Sequence, residues 1–314
     1  MKRHQTDVEA DLPLVTIVTP SYNQGDYIEA TIRSVLELDY PRIEYIVIDG
    51  GSSDDTLEIL RRQTGRVRWT SEPDRGQGDA IRKGFALAQG EILAWLNSDD
   101  VYLPDAVSRA VAALRDSPSV PLAYGNAEFI DRAGVVLGPC EQVEPFDLSR
   151  LINDLDYIVQ PATFFRRESY AAVGGLDPSL TYCLDYDLWI RMARQGGAAF
   201  IPEVLAQVRI YPQTKTASGG LARLDEVERM IRRYGRKTVP TEFEREMVGA
   251  LRRHAQGAIR RGHLKTAAVT IWRGGRYSIR LARRRGFRWV VRTAVRRLRR
   301  RRHSGPASVA RGKT

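Results

Sequence analysis

Glu91-Ile92-Leu93-Ala94-Trp95-Leu96-Asn97-Ser98-Asp99-Asp100 is the stretch on which the reading of this chain turns. Its apolar run is short for a helix and stops abruptly at polar and acidic side chains, as a buried strand does when its carboxyl end opens onto a ligand edge. Pro104 then starts a helix that ends near Asp116.

Upstream the same order recurs. Leu14 to Pro20 reads as a buried strand, followed by a helix that Asp26 can cap and that carries Ile28, Ile32, Val35 and Leu36 at helical spacing. Ile43 to Ile48 is the next strand, ending in the glycine loop Asp49-Gly50-Gly51-Ser52-Ser53, where Ser53 or Asp54 can cap a helix containing Leu57, Ile59 and Leu60. Val67 to Thr70 follows, then the loop Glu72-Pro73-Asp74-Arg75-Gly76 and a helix from about Gln77 to Ala88. This alternation predicts an α/β fold, a mostly parallel sheet with helices on both faces. Beyond Leu122 the pattern is less regular. Phe129-Ile130, Val135 to Leu137 and Tyr157 to Phe165 read as strands of a mixed extension, completed by a helix from Tyr186 to Arg194 and a strand from Phe200 to Val208.

Ligands of an open parallel sheet sit beyond the carboxyl ends of its strands. Here those ends collect Thr19-Pro20-Ser21, Asp49, Glu72-Pro73-Asp74 and Asn97-Ser98-Asp99-Asp100. Acids gathered on one rim repel unless a cation compensates them, and Mg²⁺ or Mn²⁺ typically shares one or two carboxylates with a diphosphate. The structural alternative is that Asn97 to Asp100 is a turn ahead of the next helix and that Asp49 is a capping acid.

Four motifs in order carry a resemblance. Val-Thr-Pro-Ser-Tyr-Asn (Val18 to Asn23), Ile48-Asp49-Gly50-Gly51-Ser52-Ser53-Asp54, Gly90-Glu91-Ile92 to Asp100, and Asp185-Tyr186-Asp187-Leu188-Trp189 make the chain similar to the family 2 glycosyltransferases over about Leu14 to Thr216. The resemblance implies the GT-A fold, a nucleotide-binding mixed sheet flanked by helices with an attached acceptor half. It also implies inverting transfer of a sugar from a nucleotide-diphosphate donor to an acceptor hydroxyl, aided by Mg²⁺ or Mn²⁺. The acceptor would be a saccharide or lipid-linked saccharide, in cell-envelope polysaccharide or glycolipid synthesis.

Transferred residue by residue, the resemblance makes Asp49 the group that holds the base, in a pocket lined by Thr19 and Pro20, and makes Asp79 and Asn97 donor-site residues. Asp99 becomes the main metal ligand, while Asp100 either binds metal through water or braces the loop. Asp185 becomes the general base, with a plain helix cap as its alternative, and Asp187 is the fallback on the acceptor side. Gln160 would lie beside the acceptor, and Arg209 and Lys215 on a closing loop would cover the diphosphate. The chain departs from the family at Gly50, where a second acid is common, at Arg82, where Asn is common, at Asn97 for Asp, and at Tyr211 for His. Two other functions remain open: a nucleotide-sugar-binding protein that has lost catalysis through Asn97 and Tyr211, and a nucleotidyltransferase. The latter should carry a basic glycine-rich loop after its first strand, and Thr19 to Asn23 is not one.

Charge divides the molecule. The 314 residues carry a net charge of +11, but from Leu251 onward there are 21 of the 49 Lys and Arg and none of the Asp and Glu, which leaves 28 basic against 38 acidic residues before that point. The organisation expected is a catalytic domain over residues 1–220 and a helical, strongly basic region over 221–314. Within it Phe287, Val290, Val291, Ala294, Val295 and Leu298 recur at helical spacing among arginines, so 286–302 reads as a basic amphipathic helix suited to an anionic membrane surface. No nucleic-acid motif accompanies these arginines, and no nucleic-acid partner is expected. Cys140 and Cys183 lack the spacing of a zinc site or disulfide framework. Met1 to Asp11 is polar and acidic, unlike a secretory signal. The expectation is a cytoplasmic protein held peripherally on the inner face of the cytoplasmic membrane.

Overall fold

The computed structural model describes residues 12–154, 156–234 and 241–284. The chain divides into two compact units, Met1–Lys237 and Thr238–Thr314. The basic helix read at 286–302 lies outside the described residues.

The first unit is built on one nine-stranded sheet. Its first half alternates strand and helix: β1 (Val15–Ser21), α1 (Ile28–Leu36), β2 (Ile43–Asp49), α2 (Thr56–Arg62), β3 (Arg68–Ser71), α3 (Gln77–Leu87) and β4 (Ile92–Trp95). The short β5 (Val101–Tyr102), α4 (Ala106–Asp116), β6 (Leu122–Ile130), β7 (Val136–Pro139) and α5 (Leu148–Asn153) follow. After a 3-10 turn at Gln160–Ala162 come β8 (Thr163–Arg166), α6 (Arg167–Ala172), α7 (Leu184–Gly196), β9 (Ala199–Arg209), α8 (Lys215–Ser218) and α9 (Gly220–Arg233). The order across the sheet is β3-β2-β1-β4-β8-β6-β9-β5, with β7 on β6. The four strands from β3 to β4 are parallel, and β8 meets β4 antiparallel. The sheet is therefore mixed, as expected, with β5 as a strand that the sequence pattern did not reveal.

Both faces of the central strands are buried, and the side-chain alternation of a strand divides them. In β4 and its extension Ile92, Ala94 and Leu96 enter one core with α1, α2 and α4, while Leu93 and Trp95 enter the other with α3 and α7. Trp95 stacks on Trp189 of α7 with ring centroids 5.4 Å apart, so the helix that carries Asp185 is fixed directly against the strand that leads to Asp99. α3 comes so close to β1 that a Cβ on Gly84 would lie 2.4 Å from a methyl carbon of Val18, which leaves glycine as the residue that fits.

Tyr157 to Phe165, read as one strand, is a strand only from Thr163; Pro161 sits in the 3-10 turn, where it has no ladder hydrogen bond to donate. The first unit also continues past residue 220, where the sequence placed the boundary, and includes α9.

The second unit contains α10 (Thr241–Arg260) and α11 (Leu264–Arg284), which pack on one another around a turn at Gly262, where φ is +75°. Leu251, Ala255 and Ala258 of α10 and Ala267, Thr270 and Tyr277 of α11 are buried, and His254 Nδ1 lies 3.3 Å from Thr270 Oγ1 across the seam.

Candidate active site

Ser21, Asp49 and Ser71 stand side by side at the carboxyl ends of β1, β2 and β3. Asp49 is fully buried. Its Oδ2 accepts from the backbone N–H of Gly51 (3.1 Å) and Ser52 (2.9 Å) and from Ser71 Oγ (2.6 Å), and its Oδ1 accepts from Ser52 Oγ (2.5 Å). Both oxygens thus help shape the loop after β2, and Oδ1, with a single donor, keeps capacity to accept another. Thr19 is buried and its Oγ1 pairs with Tyr45 Oη at 3.0 Å; Pro20 beside it is buried too. Ser21 Oγ, by contrast, is buried without a partner. Where relatives of the family resembled carry a second acid, a Cβ on Gly50 would lie 2.7 Å from Asp74 Oδ2. An acid from the loop after β3 thus occupies the space that Gly50 leaves.

The end of β4 is wired by amides. Asn97 Nδ2 donates to Asp100 Oδ2 and to Gln160 Oε1, both at 3.0 Å, while its Oδ1 accepts from Gln77 Nε2 at 2.7 Å. Gln160 Nε2 donates to the carbonyl of Trp95 at 2.6 Å, so Gln160 must present its oxygen to residue 97. A side chain facing two acceptors has to donate twice, which Asn does and an ionised Asp does not. The departure from the usual Asp at this position therefore has a local cause.

Asp100 is buried and accepts the backbone N–H of Arg209 at 3.0 Å, so it braces β9 against this loop. Arg209 is also buried, and its guanidinium donates to the carbonyls of Asp99 (2.9 Å), Asp131 (2.7 Å) and Arg132 (2.9 Å). Arg209 is thus an internal tie between β9 and two loops. Asp99 is half-buried and accepts from Tyr211 Oη at 2.9 Å. Burial raises the Asp99 pKa against the opposing Tyr211 hydrogen bond, and burial together with the Asp99 charge raises that of Asp100 further.

Across the site, Asp185 begins α7 half-buried, and its Oδ1 accepts from the N–H of Tyr186 at 2.8 Å. Burial raises its pKa, opposed by that N–H and by the positive charge of Lys215. Lys215 Nζ in turn donates to Gln77 Oε1 at 2.5 Å. The run Lys215–Gln77–Asn97 joins the loop after β9 to the end of β4, so the Asp185 side and the Asp99 side belong to one connected arrangement. Asp187 does not belong to it. It is fully buried, ion-paired with Arg191 at 2.6 Å and accepting from Tyr234 Oη at 2.5 Å, partners that tie α7 to its surroundings.

The model of glycosyl transferase family 2 matches residues 16–170. An uncharacterised glycosyltransferase of Mycobacterium tuberculosis is 32% identical over 237 residues, which cover 72% of this chain and 88% of that protein. The chain belongs to glycosyltransferase family 2. Among solved structures, residues 1–349 of S. aureus TarS in complex with UDP-GlcNAc superpose with a TM-score of 0.58 at 17% identity, covering 77% of this chain and 73% of that one. The mannosyltransferase PcManGT from Pyrobaculum calidifontis, in complex with GDP-Man and Mn²⁺, gives 0.56 at 18% identity, covering 89% and 81%. The sheet is that of the GT-A fold.

In this family 2 enzyme the described residues include no group of three or more His, Cys, Asp and Glu arranged to hold a metal ion. A site completed by ligand oxygens fits better: Asp99 offers a hard carboxylate donor, and two adjacent carboxylates, one buried and one half-buried, favour added positive charge. Asp79 stays apart, accepting from the N–H of Arg75 at 3.3 Å and lying 3.7 Å from Lys83 Nζ.

Two contributors escaped the sequence reading. Tyr211, noted only as a departure, reaches Asp99. Glu226 of α9 is buried and accepts the backbone N–H groups of Thr181 (3.0 Å), Tyr182 (2.6 Å) and Cys183 (2.7 Å), immediately before the helix that bears Asp185. No local pattern around Leu224-Asp225-Glu226 marks this role, because its partners are backbone groups more than forty residues away.

Proposed function

We propose that this enzyme transfers a sugar with inversion from a nucleoside-diphosphate sugar to an acceptor hydroxyl, with Asp185 as the general base. The observation that carries the reading is the Lys215–Gln77–Asn97 connection, in which a half-buried lysine whose charge reaches Asp185 is linked through Gln77 to the side chain that opens the Asp99 loop. Asp185 accepts the proton of the acceptor hydroxyl as the sugar carbon is attacked, and its raised proton affinity suits that task. The Lys215 ammonium opposes that rise, and is the group we assign to the charge of the departing diphosphate. Asp99 is the residue we assign to hold Mg²⁺ or Mn²⁺. When bound, the metal supplies positive charge to the leaving nucleoside diphosphate.

The UDP-GlcNAc and GDP-Man complexes of the two structural neighbours support a nucleoside-diphosphate sugar as the donor class. We assign the acceptor to the saccharides or lipid-linked saccharides of the cell envelope, reached from the inner face of the cytoplasmic membrane, where the basic C-terminal region would be attracted to anionic lipid. Among the described residues no helix is long and apolar enough to cross a membrane.

Incubation with a panel of nucleotide sugars, with and without Mn²⁺, tests this reading. Metal-stimulated release of nucleoside diphosphate and free sugar is the expected result. Release of pyrophosphate would replace it with nucleotidyl transfer, and binding without turnover would replace it with a nucleotide-sugar-binding role.

A further inference from the structure

α11 is apolar on two opposite sides. Ala267, Thr270 and Tyr277 are buried on one side. At 100° per residue, Leu264, Ala268, Trp272, Gly275 and Ile279 fall on the other, and all of them are exposed. Leu264 is 69% exposed, Trp272 65% and Ile279 55%. Lys265 and Arg276 flank the stripe in the exposed class, and the Arg276 guanidinium lies over the Trp272 ring at 5.1 Å.

An exposed apolar stripe of this length marks a contact surface rather than a solvated helix face. Charge selects the contact. From Leu251 to the last residue there is no acid and there are 21 Lys and Arg, so a second copy would bring like charge to like. An acidic sheet of headgroups over a hydrocarbon layer satisfies both the stripe and its basic flanks, and tryptophan favours that boundary.

We propose that the Leu264–Trp272–Ile279 face of α11 docks on an anionic bilayer, lying in the interface plane with Trp272 at headgroup depth. This rests on the membrane association proposed above and names the surface that makes it, independently of residues 286–302.

The test uses the full chain with mixed phosphatidylcholine–phosphatidylglycerol vesicles and pure phosphatidylcholine vesicles as the control. Wild-type protein is expected to co-sediment with the mixed vesicles, and more weakly as salt rises. The combined Leu264→Ser, Trp272→Ser, Ile279→Ser variant should lose at least about tenfold in partitioning while keeping its circular dichroism and donor hydrolysis, because all three side chains are exposed. Cys140 and Cys183 are buried, so Trp272→Cys offers a selective site for an environment-sensitive label. Its emission should shift to the blue on adding mixed vesicles.

Absence of wild-type binding would sink the membrane reading as a whole. Binding that survives in the triple variant, with no shift of the label, would overturn only the assignment to α11. A label already blue without lipid would overturn it as well: concentration dependence would point to a second copy, and its absence to coverage by the chain itself.

Discussion

Asp99-Asp100 and Asp185-x-Asp187 are two pairs of acids that look interchangeable in sequence and are split in the same way by the fold. In each pair one carboxylate is half-buried and faces the connected arrangement, while its neighbour is sealed inside. Asp100 is occupied by Arg209 N–H and Asn97, and Asp187 by Arg191 and Tyr234. The half-buried members, Asp99 and Asp185, have their proton affinity raised by burial; the Tyr211 hydrogen bond and the Arg209 charge oppose the rise at Asp99, and the Tyr186 N–H and the Lys215 charge oppose it at Asp185. Motif spacing tells where acids converge; partners tell which acid is left for chemistry.

That division can be broken by substitution. Asp185→Asn should lower kcat by about 10²- to 10⁴-fold with little change in thermal stability, measured by turnover and melting in parallel. An equal loss of stability would make Asp185 a helix cap. Asp187→Asn should do the reverse, costing about 3–5 kcal/mol in denaturant titration because it leaves Arg191 facing a buried neutral group. A stable, inactive Asp187→Asn protein would return that residue to the active site. Asn97→Asp, which restores the residue common in the family, should destabilise by about 1–3 kcal/mol and lower activity, since it removes two donated hydrogen bonds and sets a third carboxylate beside Asp99 and Asp100. If activity rose instead, the amide wiring of β4 would be incidental.

The smallest expected effect sharpens the comparison by pH. Asp185 must be ionised to act, so activity falls as pH drops through its raised pKa. Lys215 opposes that rise, and Lys215→Met should therefore move the acid limb of kcat to higher pH. Movement to lower pH, or none, would separate Lys215 from Asp185.

The parallel half of the sheet was legible in the sequence because β1, β2 and β4 are buried on both faces and stop at Pro20-Ser21, Asp49-Gly50 and the polar run from Asn97. The convergence of Ser21, Asp49 and Asn97 on one edge followed from that topology. What stayed hidden was of a different kind. Asp49 and Asp187 were assigned to ligands through the family resemblance, and nothing local shows that four donors surround one and an arginine and a tyrosine the other. Arg209 gave the same difficulty, since an arginine near a phosphate site and an arginine binding three carbonyls are spelled alike. Val101–Tyr102 was invisible as a strand because two residues carry no periodicity.

The grip of Glu226 on Thr181, Tyr182 and Cys183 bears on where this chain can be cut. A version ended at residue 220, as the motifs alone would advise, would remove the carboxylate that three inward-pointing amides require and would loosen the turn ahead of Asp185. Excision should start beyond α9, and a shortened protein that melts early would owe its weakness to this missing anion rather than to the sheet.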